Sequence, residues 1–150
     1  MTVGEVGRQP LAARSEPGGD VAPSAAETPT VADGPFTTRQ LLRLDEALRI
    51  ADQQTGLTFS VYIGDLEVPT RAFAEGLQKQ IRTADRAVLI AISPNQRKLE
   101  IVTGNEARKR ISDRDAKLAG LSMAASFAGG DLAGGVLAGI DQLATHAGRH

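Results

Sequence analysis

Residues 84–104 read ADRAVLIAISPNQRKLEIVTG, and this stretch decides the fold. Its first half contains an unbroken apolar run over 88–92, whereas its second half alternates apolar and polar residues over 98–103. An unbroken run is typical of a strand buried on both faces, and alternation is typical of a strand with one wetter face. The residues between them, 94–97, are turn-forming. The stretch therefore predicts a β-hairpin whose first strand is central in a sheet.

Helical periodicity and turn signals place the preceding elements around this hairpin. Thr37 and Gln40 form a capping box before a helix that should end at Gly56, and alternating apolar residues then predict a strand over 57–63. A second helix over 70–83, with Thr70 as its cap, leads into the hairpin. Strand, helix and strand form a crossover unit, and such units are parallel and right-handed in nearly all cases.

Three helices are predicted after the hairpin. Asn105 is expected to cap a short helix over 106–111, and Ser112 or Asp113 to cap the next helix over 114–128. The apolar stripe expected for that longer helix consists of Leu118, Leu121 and Ala125. A break at 129–130 precedes a last helix from Asp131, in which Gly135 and Gly139 predict close packing against a neighbour. The fold class is α/β: a small mixed β-sheet, built from a parallel β-α-β crossover plus an antiparallel hairpin, with helices packed on both faces.

Composition divides the chain into a tail and one domain. Five of the seven prolines fall within 1–35, which shows no apolar period, so 1–35 is predicted to be a disordered tail and 36–147 an α/β domain. The lack of cysteine excludes thiolate chemistry, and the net charge of −1 with few aromatic residues argues against a nucleic-acid surface. No signal peptide is visible, so the predicted location is cytoplasmic. The apolar span 118–140 carries Asp131, which favours packed helices over membrane insertion.

Acidic residues mark two candidate sites, one at each end of the predicted sheet. Oxygen ligands suited to Ca²⁺ or Mg²⁺ gather where the first hairpin strand starts and the second ends: Asp85, Asn105, Glu106 and Asp113. Asp85 is the candidate catalytic residue of this group. The secondary candidate is the pair Asp65 and Glu67, at the end where open α/β sheets usually bind ligands. The structural alternative is that Asp85 ends a turn while Asn105 and Asp113 only cap helices.

Two further groups of residues give weaker functional signals. Ser122, Asp131 and His146 follow one another in hydrolase order, but the nucleophile elbow needs a strand before the serine, and Ser122 lies inside a helical pattern. A cluster of four basic residues predicts either an anion-binding site or a solvated helix face: Arg108, Lys109, Arg110 and Arg114.

Four segments together resemble the TPM domain family, named from a thylakoid lumen phosphatase, a photosystem II repair protein and a nematode receptor accessory protein. They read QQTGLTFSVYIGDL (53–66), ADRAVLIAISPNQRKLEIVTG (84–104), RISDRDAKLAGL (110–121) and FAGGDLAGGVLAGIDQL (127–143). The chain looks closest to an actinobacterial branch of unknown function. Asp85 matches the aspartate of the family's Asp-Asn-Gly turn, although Arg86 and Ala87 replace the Asn and Gly. The resemblance implies the α/β fold, and for some relatives acid phosphatase activity and divalent cation binding.

Two functions follow as expectations, and whether the chain is an enzyme is left open. The first is a cytoplasmic, TPM-like accessory module that binds protein partners, as a monomer or weak oligomer. The alternative is a weak, divalent-metal-dependent acid phosphatase that hydrolyses phosphomonoesters with Asp85 and either Asp113 or Glu106. In the alternative, metal ions would clamp the phosphoryl oxygens and activate water.

Overall fold

The computed structural model describes residues 35–149, in which three strands form one mixed sheet. The strands are β1 (Thr58–Ile63), β2 (Ala87–Ser93) and β3 (Lys98–Thr103), and they lie in the order β1-β2-β3. β1 pairs parallel with β2, and β3 pairs antiparallel with β2. All seven residues of β2 are buried, which confirms that the first hairpin strand is central. The predicted tail lies outside the described residues, apart from Pro35.

Helices cover both faces of this sheet, as the sequence predicts. They are α1 (Thr38–Thr55), α2 (Thr70–Lys79), α3 (Asn105–Arg108), α4 (Asp113–Ala128) and α5 (Leu132–Ala147), with a 3₁₀ turn at Ala84–Arg86 before β2. α1, α4 and α5 enclose the larger apolar core on one face, and α2 packs on the other face. The α/β fold class is therefore confirmed. No helix within 35–149 has the length and apolar character needed to span a bilayer; the cytoplasmic location stays a prediction.

Local capping explains both ends of α1 and the start of α4. Thr37 and Gln40 form the predicted capping box of α1, and Gly56 ends that helix with a φ of 77°. The cap of α4 is Ser112, because its side chain accepts from the backbone N–H of the third helical residue; Asp113 is the first helical residue. The predicted Asn105 cap is wrong: Gly104 takes the cap position without a side-chain hydrogen bond, and Asn105 begins α3.

The second helix is shorter than its periodicity predicts, since α2 ends at Lys79 rather than at Thr83. The predicted cap is also wrong, because the Thr70 hydroxyl donates to Glu100 Oε2 (2.8 Å) and Pro69 occupies the cap position. A buried amide accounts for the early end. Gln78 Nε2 donates to the carbonyls of Ala84 and Ala87, which draws the following chain into the 3₁₀ turn.

The predicted apolar stripe of α4 is also wrong. Leu118 and Leu121 are 45% and 60% exposed, and the buried residues of α4 are Ala116, Ala119 and Met123. Small residues decide this orientation, because they allow α4 and α5 to approach closely. A Cβ atom on Gly139 of α5 would lie only 2.3 Å from Met123 Sδ, which confirms the predicted close packing of the α5 glycines.

Candidate functional site

The start of β2 and the end of β3 form a tight corner at one end of the sheet. Gly104 N donates to Ala87 O (2.9 Å), and a Cβ atom on Gly104 would lie 1.9 Å from Ala84 O and 2.6 Å from Asp85 O. No side chain fits there, so glycine is required by the approach of two backbones. The topology therefore places Asp85 beside Gly104 and Asn105, as the sequence predicts.

A polar cleft of about 360 Å³ lies at this corner. Its lining includes Asp85, Asn105 and three cationic side chains, those of Arg71, Lys79 and Arg108. Gln78 also lines the cleft and is 5% exposed, with its amide held by the two carbonyls of the turn. Sequence reasoning missed Gln78. The only signal was a glutamine on the face that Ala74 buries one helical turn earlier.

The structure gives the proposed cation ligands other partners. Arg108 lies 3.5 Å from Asn105 Oδ1 and 3.7 Å from Asp113 Oδ1, while Lys109 lies 3.2 Å from Glu106 Oε2. Within 35–149, no three His, Asp or Glu side chains are grouped so that they could hold one metal ion. Three of the four predicted ligands, Asn105, Glu106 and Asp113, thus have a cationic neighbour. The Ca²⁺ or Mg²⁺ site stays a prediction.

The secondary acidic pair lies at the opposite end of the sheet, where Asp65 and Glu67 are both exposed. Tyr62 donates from its hydroxyl to the backbone carbonyl of Asp65 (3.0 Å). Burial raises the pKa of Tyr62, and the negative charges of Asp65 and Glu67 raise this pKa further. The loop is held by Gln96, whose side chain bonds both N–H and C=O of Leu66. A hydrogen-bonded turn therefore positions Asp65 and Glu67, and the function of this pair stays a prediction.

The hydrolase-like residues have separate structural roles. Ser122 is an exposed residue in the middle of α4, and Asp131 caps α5 by accepting from Gly134 N (2.9 Å). His146 Nδ1 lies 3.5 Å from Asp115 Oδ1. A serine within a helix has no strained turn to expose its hydroxyl, so this arrangement does not form a nucleophile elbow.

The basic group contains a structural arginine that joins two helix ends. Arg110 donates to Thr55 O (2.6 Å), Ala147 O (3.1 Å) and Gly148 O (2.7 Å). Thr55 and Ala147 are the last residues of α1 and α5, where carbonyls lack helical partners and the helix dipole favours a cation. Arg110 is therefore occupied by the fold, whereas Arg114 is exposed.

Asp52 is a partly buried carboxyl at the β1 edge of the sheet. Its Oδ1 accepts from Phe59 N (2.7 Å), which joins α1 to the first strand. Burial raises the pKa of Asp52 from 3.8 to about 6, and the Phe59 hydrogen bond opposes that rise. The sequence analysis did not predict this contact.

The outer edge of β3 is open, because no described strand pairs with it. In antiparallel pairs, alternate residues direct their backbone groups toward the partner strand. Gly104 N bonds to Ala87 O, so in this register Leu99, Ile101 and Thr103 direct their N–H and C=O groups outward. Arg71 donates to Ile101 O (2.8 Å) and Arg108 to Thr103 O (2.9 Å). Within 35–149, the three outward N–H groups have no hydrogen-bond acceptor.

A groove of about 600 Å³ follows this edge, and we call it the β3 groove. One wall is the exposed face of α4, and the other side carries Arg71. Leu121 lines the groove and Leu118 is exposed on the same helix. The groove residues are Arg71, Arg97, Lys98, Leu99, Glu100, Ile101, Thr103, Arg108, Asp113, Ala116, Lys117, Gly120, Leu121 and Ala124.

The fold and these surfaces define a small α/β domain with a polar cleft at one sheet corner and an open, basic strand edge. The chain belongs to the family described as Domain of unknown function (DUF5130), whose model matches residues 10–144. It is similar to uncharacterized proteins of Mycobacterium tuberculosis strains H37Rv and CDC 1551, with 35% identity over 106 residues in each case. The match covers 71% of this chain and 64% of those relatives, so the chain spans less than two thirds of their length.

Solved structures with the same fold come from other bacteria. The NMR structure of the BA42 protein from Bizionia argentinensis matches with a TM-score of 0.64 and 18% identity, covering 77% of this chain and 83% of that protein. The N-terminal domain of a P. gingivalis protein has a TM-score of 0.64 and 17% identity, covering 75% of this chain and 76% of that one. At such identities these similarities show the fold alone.

Proposed function

We propose that this chain is a TPM-like accessory module that binds protein partners through the β3 groove and the leucines of α4. The observation that carries the proposal is the open edge of β3 beside Leu118 and Leu121. An edge strand is a template for pairing with another chain. Arg71 and Arg108 cover two outward carbonyls of β3, while its three outward N–H groups have no acceptor within 35–149. The TPM resemblance and a cytoplasmic location form part of the proposal.

The two leucines supply a physical reason for association. They are 45% and 60% exposed on the same helix, although that helix buries residues as small as alanine elsewhere. Removing a leucine side chain from water contributes roughly 1 to 2 kcal/mol when it is half-exposed at the start. Both leucines together with several strand hydrogen bonds would support a moderate affinity, consistent with a monomer that engages partners transiently.

Site-specific photocrosslinking tests this function. A photoreactive phenylalanine analogue replaces Leu121 in the full chain, and the same analogue replaces Ile50 as the control, because Ile50 is 39% exposed on α1. After irradiation in native lysate, the Leu121 position should give discrete adducts that purified competitor protein removes. Identical adduct patterns at the two positions would show that the α4 surface is not a docking surface.

A second candidate is phosphoester chemistry at the corner cleft. Asp85 lines the same cleft as Arg71 and Arg108, so a carboxylate and two cations that would receive a phosphoryl group share one cleft. The TPM resemblance supports this alternative. Hydrolysis of a generic phosphomonoester is measured with and without Mg²⁺ or Ca²⁺ for the natural chain, for Asp85→Asn, and for Asp141→Asn as an exposed control. Equal rates for all three chains would remove Asp85 from the chemistry.

A further inference from the structure

We infer that the partner in the β3 groove is an extended, acidic peptide segment that adds to the sheet as a fourth strand beside β3. This inference rests on the proposed protein-binding function and deepens it. It depends on three features of the groove: the pattern of hydrogen-bond donors, the excess of positive charge, and the apolar wall supplied by α4.

The donor pattern matches an extended peptide. The outward N–H groups of Leu99, Ile101 and Thr103 are two residues apart, which spaces them by about 6.8 Å along the strand. Alternate carbonyls of an added strand have the same spacing. Arg71 and Arg108 donate to the carbonyls of Ile101 and Thr103, so these carbonyls accept from an added strand only when both arginines turn to carboxylates of that strand. An acidic occupant therefore frees the edge for pairing.

Charge complementarity makes that occupant acidic. The groove is lined by five cationic side chains, those of Arg71, Arg97, Lys98, Arg108 and Lys117, against two carboxylates, those of Glu100 and Asp113. Each carboxylate already has a cationic neighbour, with Arg71 3.5 Å from Glu100 and Arg108 3.7 Å from Asp113. Three of the cations, Arg97, Lys98 and Lys117, make no ion pair within 35–149. These three remain available to carboxylates of a partner.

The apolar wall predicts an alternating sequence. Successive side chains of an added strand point to opposite faces of the sheet, so every second one would face α4. That wall contains Gly120, Leu121 and Ala124, which would cover aliphatic side chains. The remaining side chains would face Arg71 on the α2 side. The partner is therefore an extended segment in which acidic and aliphatic residues alternate.

An NMR titration of the ¹⁵N-labelled full chain tests this binding mode. The probe is a synthetic octapeptide of alternating Glu and Val, and the charge control alternates Lys and Val. The acidic peptide should shift the amide resonances of Leu99, Ile101 and Thr103 downfield, with binding weakened at least threefold at 300 mM NaCl because exposed charges are screened. The lysine peptide should leave those resonances unchanged. Shifts confined to other elements would overturn the inference.

Two further arms separate strand addition from attraction of charge alone. The same acidic peptide with N-methyl groups at alternate residues keeps its charge but loses hydrogen-bond donors on one edge, so methylation of the pairing edge should weaken binding at least tenfold. Equal affinity for the methylated peptide, or tighter binding of a single-stranded oligonucleotide of equal charge, would contradict strand addition by a peptide.

A matched pair of charge reversals locates the site. Lys117→Glu changes an exposed groove residue and should weaken binding of the acidic peptide at least fivefold. Arg43→Glu makes the same charge change on α1 and should alter the affinity less than twofold. Equal losses in both variants would refute the groove as the site. Such a result would leave the protein-binding function standing if the Leu121 photocrosslinks remain specific, so the two proposals fail separately.

Discussion

Replacing Asp52 by asparagine should increase the free energy of unfolding at neutral pH. The pKa of Asp52 is about 6 in the folded chain, against an ordinary value of 3.8. Between these two values the folded chain retains a proton that the unfolded chain has lost. The stabilisation by this proton is complete below pH 3.8 and is lost as the pH rises through 6. The asparagine side chain is neutral at every pH, and its amide oxygen can still accept from Phe59 N.

The size of the effect follows from the shift. A rise of about two pKa units corresponds to about 3 kcal/mol, but the carboxyl is only partly buried, so solvent screening reduces this to roughly 1 to 2 kcal/mol. Asp52→Asn should therefore be more stable than the natural chain by that amount at pH 7.5, and equal to it within about 0.5 kcal/mol at pH 4.

Urea unfolding followed by circular dichroism measures this difference at half-unit pH steps and constant ionic strength. Carboxyls common to both chains cancel in the difference, so its pH dependence isolates Asp52. Asp141→Asn removes an exposed carboxylate of α5 and controls for net charge. A difference curve that stays flat from pH 4 to 7.5, or an asparagine variant that is less stable at pH 7.5, would refute the reasoning.

Three further substitutions test contacts that hold the domain together. Arg110→Met should lower the unfolding free energy by about 2 to 4 kcal/mol, since three backbone carbonyls lose a charged donor. The control Arg114→Met should lower it by less than about 0.5 kcal/mol, and the urea midpoints of the two variants measure the difference. Gly104→Ala should lower the unfolding free energy by more than about 3 kcal/mol because the new methyl group meets backbone atoms. Gly76→Ala has open space around its Cβ position and should raise the unfolding free energy by roughly 0.5 to 1 kcal/mol. Thermal melts that rank these two variants in the opposite order would contradict the corner geometry. Leu121→Ser should leave the melting temperature within about 2 °C, because the leucine is exposed; a large drop would mean that it belongs to the core.

Elements with a strong local signal were predictable from the sequence. The apolar run of β2 and the alternation of β1 identified the sheet and its central strand, because burial on one or two faces determines the order of apolar and polar side chains. The Thr37 capping box and the Gly56 stop set α1 for a similar reason, since each depends on groups within three or four residues. The structure therefore contains the elements that these local patterns predict.

The α4 helix shows where such patterns fail. Periodicity favours Leu118 and Leu121 as core residues, because leucine contributes more apolar area than alanine. The structure instead buries Ala116, Ala119 and Met123, since the two alanines allow a short distance to neighbouring elements and Gly139 of α5 leaves room for Met123. Distances between helices are properties of the assembled domain. The exposed leucines, and the docking surface they form, could not be found from one helix alone.

The candidate site divides in the same way. The sequence by itself determined the α/β class, the hairpin, and the topology that brings Asp85 to Gly104 and Asn105. Only the tertiary structure decided that Arg71 reaches Glu100 and the carbonyl of Ile101, and that no described strand pairs with the outer edge of β3. These contacts and the unpaired strand edge depend on which groups meet across elements distant in sequence. Local periodicity carries no information about those meetings, so the chemistry of both surfaces emerged only from the folded domain.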